Sequence, residues 1–161
     1  RASYLIVLMS GTTDHQPYAP NQEGVNGVLL DLKTTMAGRT VYAVAGFGAL
    51  AFEDVTQGAA LYARASDGKV GLANASGTRD EATVVGFAQT AKNAGEEVRC
   101  LVVGILALSG LDAGEPMFLA TSDGAITKTP PTTNGHFVVR VGEAATTANL
   151  AIQIEPPILL S

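Results

Sequence analysis

The segment Gly58–Ala88 returns 56 residues later as Gly114–Ala144, and this internal repeat constrains the fold more than any other feature of the 161-residue chain. Gly58, Ser66, Asp67, Gly68, Val85, Gly86 and Ala88 meet Gly114, Ser122, Asp123, Gly124, Val141, Gly142 and Ala144, giving 7 identities in 31 ungapped positions. Leu61-Tyr62 answers Met117-Phe118, and Val70 answers Ile126. In each copy a short apolar run ends in Ser-Asp-Gly and a β-branched residue follows. Asp-Gly between two such runs predicts a hairpin, because glycine accepts the positive φ of a tight turn. Asp67, Gly68, Asp123 and Gly124 are therefore read as turn formers.

Each copy continues into a further strand, Val84–Phe87 in the first and Phe137–Val141 in the second. A third strand closes the unit. With a four-residue insertion around residues 92–95, Val98, Cys100 and Val102 align with Leu150, Ile152 and Ile154. Both sets have the period of two of a half-buried strand. A competing pattern lies over 79–93. Thr78 and Glu81 have capping-box spacing, and Ala82, Val85, Ala88 and Ala91 follow at helical intervals. The second copy is rich in β-branched residues there, which favours strand.

Upstream, Tyr4, Leu5, Ile6, Val7, Leu8 and Met9 form the one apolar run near the start. It is too short to span a membrane and lacks the flanks of a signal-peptide core. A strand there would be apolar on both faces. The polar stretch 11–27, rich in Pro, Gly and Asn, has no apolar periodicity. Residues 1–27 are thus expected to lie extended across a neighbouring subunit, with Tyr4–Met9 as partner-binding residues; the alternative is a first strand of the chain's own barrel. Val28–Met36 fits strand slightly better than helix, Thr40–Val44 reads as strand, and Ala45–Ala51 is a Gly/Ala-rich segment. Nine or ten short strands give an all-β sandwich or barrel built around a duplicated hairpin-plus-strand unit. The expected division is 1–55 as arm and β segment, 56–110 as the first copy and 111–161 as the second. Leu61, Val70, Val85, Val98, Val102, Met117, Ile126, Val141, Leu150, Ile152 and Ile154 form the expected core.

Hydrophobic residues make up 47% and charged residues 16% of the chain, a balance that favours burial against copies of itself or a larger partner. Net charge is −5 with no Lys/Arg cluster, so nucleic-acid backbone binding has no electrostatic footprint. The single cysteine, Cys100, excludes an internal disulfide and reads as a small buried hydrophobe. His15 and His136 lack companions at metal-ligand or catalytic spacing. Gly46-Phe47-Gly48 lacks the later Gly and Lys of a phosphate loop. Ser10, Ser66 and Ser109 lack a nucleophile-elbow context. The expectation is a non-enzymatic protein without metal or cofactor.

The succession Leu61-Tyr62-x-x-x-Ser66-Asp67-Gly68-Lys69-Val70-Gly71-Leu72-Ala73-Asn74-Ala75, Val85–Ala88, Ala94–Val98, Gly104–Leu106 and Leu111-x-x-Gly114-x-x-Met117-Phe118-Leu119 resembles small virion proteins of tailed bacteriophages. The likeness is to capsid decoration (cement) proteins and related head-fibre modules, and it covers roughly residues 56–160. It implies a β-rich domain, commonly trimeric, on the outer capsid surface, where it clamps neighbouring major capsid subunits. The partners it implies are the major capsid protein and copies of the chain itself, without a membrane. An acidic protein would be repelled by packaged DNA, which suits the capsid exterior. A receptor- or glycan-binding head- or tail-fibre module is the alternative.

Overall fold

In the computed structural model the described residues are 28–34 and 41–161. Tyr4–Met9 and His15 lie outside them. The chain runs β1 (Val28–Thr34), β2 (Val41–Leu50), β3 (Ala60–Ala63), β4 (Val70–Leu72), α1 (Arg79–Ala82), β5 (Val84–Ala88), β6 (Glu97–Ala107), β7 (Pro116–Leu119), β8 (Ile126–Thr127), β9 (Phe137–Val138), β10 (Arg140–Thr146), β11 (Asn149–Ile152) and β12 (Ile158–Leu159). The fold is all-β. One antiparallel sheet has the order β4-β3-β5-β6-β11-β10-β7-β8, with β2 on β6 and β1 on β2; a small second sheet pairs β12 with β9. The large sheet curls into a half-barrel. Its two ends are stitched by backbone hydrogen bonds from Ala60 N to Gly124 O, Gly124 N to Ala73 O, Ala75 N to Ala120 O and Phe137 N to Ala75 O.

The two copies have the same register. In the first hairpin Tyr62 pairs with Gly71 and Ala63 with Val70; in the second Phe118 pairs with Thr127 and Leu119 with Ile126. On the other side Ala60 faces Phe87, Leu61 faces Gly86 and Tyr62 faces Val84, with an irregularity after Leu61. Pro116 faces Glu143, Met117 faces Gly142 and Phe118 faces Arg140, with the irregularity in the same place. Every one of these pairs maps onto its counterpart at the repeat offset. The bounding residues close each unit alike. Gly58 N donates to Ala88 O at 2.8 Å and Gly114 N to Ala144 O at 2.7 Å, while Ala88 N and Ala144 N donate back to Ala59 O and Glu115 O. Gly58 and Gly114 have φ of 80° and 85°, a region in which a side chain is strained. At Gly86 and Gly142 a Cβ would collide with the carbonyl oxygens of Leu101 and Ala151 on the next strand, so glycine lets that strand approach.

Several expectations are corrected. The segment 79–93 is neither all strand nor all helix. Thr78 Oγ1 accepts from Glu81 N and Thr78 N donates to Glu81 Oε2 at 2.6 Å, so the capping box forms and starts a single turn of helix. Thr83, Val84 and Val85 are β-branched and end it, and β5 follows. The third strand aligns Cys100 with Leu150, because Ala88 pairs with Cys100 and Ala144 with Leu150. The first copy therefore carries a six-residue insertion, not four; the error is even and leaves the faces unchanged. The Gly/Ala-rich segment 45–50 is part of strand β2, whose Gly46 lies against the Cys100 carbonyl where a Cβ would not fit. Val85, Val102, Ile126 and Ile154 are half-buried, not buried. Val85 and Val102 sit at strand irregularities, Ile126 lies on the two-residue end strand β8, and Ile154 lies past the end of β11.

The core is split, and the split runs between equivalent faces. Val55, Leu61, Val70, Ala88 and Cys100 lie in the smaller cluster, with Phe47 and Ala49 of β2 packed against it. Their counterparts Leu111, Met117, Ala144 and Leu150 lie in the larger cluster, with Ile126 packed against it. There they meet the opposite face of the first copy, namely Tyr62, Val84, Phe87 and Leu101. The cause is in β6. Ala45 pairs with Val103 but Gly46 pairs with Leu101, so Val102 is an extra residue. A one-residue bulge exchanges the two faces of a strand. Cys100 thus faces the smaller cluster while Leu101 and, beyond the bulge, Leu106 face the larger one.

Candidate functional site

The two Asp-Gly turns occupy the same backbone position in environments that differ. In the first, Arg64 clamps Asp67 through both oxygens, Nε to Oδ1 at 3.0 Å and Nη2 to Oδ2 at 2.6 Å. Asp67 Oδ1 also accepts from Lys69 N at 3.2 Å, which fixes the turn locally. The Arg64 hydrogen bond, helped by the Lys69 N–H and both positive charges, holds the Asp67 carboxyl down from its ordinary 3.8 to about 2. The guanidinium lies 4.2 Å from the centre of the Phe52 ring, and Phe52 meets Tyr62 edge-on at 5.8 Å. A Cβ at Gly68 would meet nothing within 4 Å.

The second turn serves as a tie between copies. Asp123 Oδ1 accepts from Asn74 Nδ2 at 2.6 Å, and Gly124 uses both its N–H and its carbonyl in the seam to the first copy. A Cβ at Gly124 would lie 2.8 Å from Leu72 Cδ2 and 3.0 Å from Ala59 Cβ. Glycine at Gly124 is thus required by packing as well as by its φ of 66°. Both carboxylates are engaged in holding chain geometry. Among the described residues no group of three or more His, Cys, Asp or Glu side chains is placed to hold a metal ion, and no helix is long and apolar enough to cross a membrane.

Cys100 is fully buried, and desolvation raises its thiol to about 12, so it packs as an apolar group. His136 is half-buried beside β9, where its backbone N–H donates to Thr133 O and its carbonyl accepts from Leu160 N. The structure brings neither side chain into a group of reactive partners.

The outward surface at the junction of the copies was not anticipated from the sequence. Val103, Ile105 and Ala107 are successive outward positions of β6 and all three are exposed. Ile105 pairs with half-buried Ala151, whose other neighbour is Glu143. Away from this surface, Leu50 at the end of β2 pairs with Glu97 and is 48% exposed. The signal lay in the unbroken apolar run Cys100–Val103, which a strand with one wet face does not need. Further along this outer face Arg140 reaches Glu143 at 3.3 Å and Glu155 at 3.4 Å. Arg140 and Glu143 stand where the first copy has buried Val84 and Phe87. No family model matches the chain, and no curated protein matches it either.

Proposed function

We propose that this chain is a non-enzymatic virion component, a capsid decoration protein that binds the outer capsid surface and stabilises contacts between major capsid subunits. The observation that carries the reading is the pair of β units presenting exposed Val103 and Ile105 on the outside of their junction. A unit whose turns and seams are consumed by internal hydrogen bonds is rigid, and exposed apolar side chains on a rigid sheet suit a standing protein partner. The net charge of −5 suits an outer surface facing away from nucleic acid. Within this reading Tyr4–Met9 supply a second contact, reaching a neighbouring subunit while the sheet holds the first. Two contacts by one chain act at high effective concentration. Assembly as a homotrimer belongs to the same proposal.

A three-dimensional reconstruction of particles that carry the protein tests it. Copies spread over the icosahedral lattice support the decoration role. Copies confined to the tail or to a few vertices overturn it in favour of a receptor- or glycan-binding fibre module. Deleting residues 1–10 tests the arm: a folded protein that no longer stabilises particles supports it, and failure to fold assigns Tyr4–Met9 to the protein's own core.

A further inference from the structure

Three aspartyl- or asparaginyl-glycine dipeptides occur among the described residues: Asp67-Gly68, Asp123-Gly124 and Asn134-Gly135. Such pairs share one reaction. The glycine N–H, with no neighbouring Cβ to hinder it, attacks the side-chain carbonyl carbon of the preceding residue. For asparagine the new bond joins Gly N to Asn Cγ, the bond from Cγ to the amide nitrogen breaks, and ammonia leaves with the proton. Water then opens the five-membered imide at either carbonyl and yields aspartate or isoaspartate. No oxidant or reductant takes part. The reaction requires a free glycine N–H.

All three N–H groups are engaged at 2.8 Å, but to different anchors. Gly68 N donates to Arg64 O within its own turn, and Gly124 N donates to Ala73 O in the seam between copies. Gly135 N donates to Leu160 O, in the residue just after β12. That anchor is the weakest of the three. Strand β12 is two residues long, and Ile158 and Leu159 are 63% and 52% exposed, so it buries little apolar surface. Elements of this kind open locally long before a fold unfolds. Asn134 and Gly135 are both exposed, at the centre of a turn closed by His136 N to Thr133 O at 3.1 Å. Asparagine is also the more reactive member, since ammonia leaves from a neutral amide whereas an ionised carboxylate resists attack.

We infer that Asn134 is a modification site, an amide that cyclises onto Gly135 when the C-terminal strand lifts and stays intact while Leu160 holds the Gly135 N–H. Isoaspartate adds a backbone carbon to a turn that must return Gly135 to Leu160. Conversion therefore keeps the C-terminal strand released, and the site acts as a one-way record of that release. The inference is independent of the capsid reading.

The test is peptide mapping of the full chain aged in mildly alkaline buffer, with aspartyl and isoaspartyl products separated. It is run beside a synthetic peptide of residues 130–138, a variant lacking residues 158–161, and the double variant Ile158→Gly/Leu159→Gly, which removes two exposed side chains and frees the backbone of β12. Hydrogen exchange at Gly135 is read in each protein sample. The expected result is conversion of Asn134 at least about tenfold slower in the intact chain than in the peptide, rising with Gly135 exchange as the strand is loosened. Slow hydrogen exchange retained at Gly124, whose N–H is held by Ala73 O in the seam, reports that the fold of the variants has survived. Equal rates in the intact chain and the peptide overturn the inference. So does unchanged conversion in a variant whose Gly135 N–H exchanges freely.

Discussion

The two copies of the repeat fold with one backbone and opposite surroundings. Their registers agree pair by pair, down to the irregularity after Leu61 and Met117. Yet Phe87 is buried in the first copy while Glu143, its counterpart, is exposed, and Val84 is buried while Arg140 is half-exposed and ion-paired. The residues identical between copies are mostly those that set main-chain geometry, such as Gly58/Gly114, Asp67/Asp123, Gly68/Gly124 and Gly86/Gly142. The residues that differ decide which face is wet. The first copy is a middle layer, covered by β2 on one face and by the second copy on the other. The second copy is an end layer, with a charged outer face like that of a terminal repeat in a stacked array.

The comparison breaks most severely when the first copy is given the second's residue. Phe87→Glu places an unpaired carboxylate in the larger core cluster, and we expect a loss of about 4–5 kcal/mol or more, seen as failure to fold or collapse of the denaturant midpoint. The reverse change, Glu143→Phe, should shift stability by no more than about 1 kcal/mol but cause self-association in sedimentation, since it exposes an aromatic on the face of Ile105, one strand beyond Ala151. If Phe87→Glu were tolerated, the middle-layer assignment would be wrong.

The next effect tests the shared core. Leu119→Ala and Leu150→Ala remove fully buried side chains of the second copy and should each cost about 2–5 kcal/mol in chemical denaturation. Smaller, and sharper as a comparison, is alanine at the two turn glycines. Gly68→Ala meets open space and should cost about 1–2 kcal/mol for its positive φ. Gly124→Ala adds overpacking against Leu72 and Ala59, about 1–3 kcal/mol more, so the two melting points should differ. Equal losses would mean that the seam yields to the added carbon.

The smallest expected effect is electrostatic. Because the folded-state value of Asp67 is lowered, its pairing with Arg64 contributes stability above the ordinary 3.8 and loses it as pH falls towards about 2. The thermal midpoint of Asp67→Asn should lie slightly below wild type near neutral pH and converge with it in that acid window. The pair is exposed, so the separation should be small.

The hairpins were legible because Asp-Gly dictates chain reversal locally and because two copies of the signal agree. The larger part of the core was legible for the same reason: Leu61, Val70, Val98, Met117, Val141, Leu150 and Ile152 are all buried. What was not legible depends on distant partners. The turn of helix at Arg79–Ala82 was visible as a capping box but was outweighed by the repeat, although repeats diverge most in their connections. The bulge at Val102 has no local signature beyond its apolar run, since it exists by virtue of β2 pairing on both sides of it. The exchange of faces was written in Val84/Arg140 and Phe87/Glu143, but only an aligned register makes those pairs comparable. As for candidate interaction residues, the sequence put Val102 in the core and assigned no face to Val103 and Ile105, which only the sheet supplies.

The seam between the copies also bears on how fast the chain can fold. Each hairpin closes over a few residues, a step of microseconds in isolation. The seam joins positions far apart, as with Asn74 and Asp123, 49 residues from one another, and it can form only once both hairpins exist. Topologies dominated by such non-local pairings fold in about milliseconds to seconds. We expect substitutions at Asn74 and Asp123 to accelerate unfolding and leave the refolding rate nearly unchanged in stopped-flow kinetics, the signature of contacts made after the barrier is crossed.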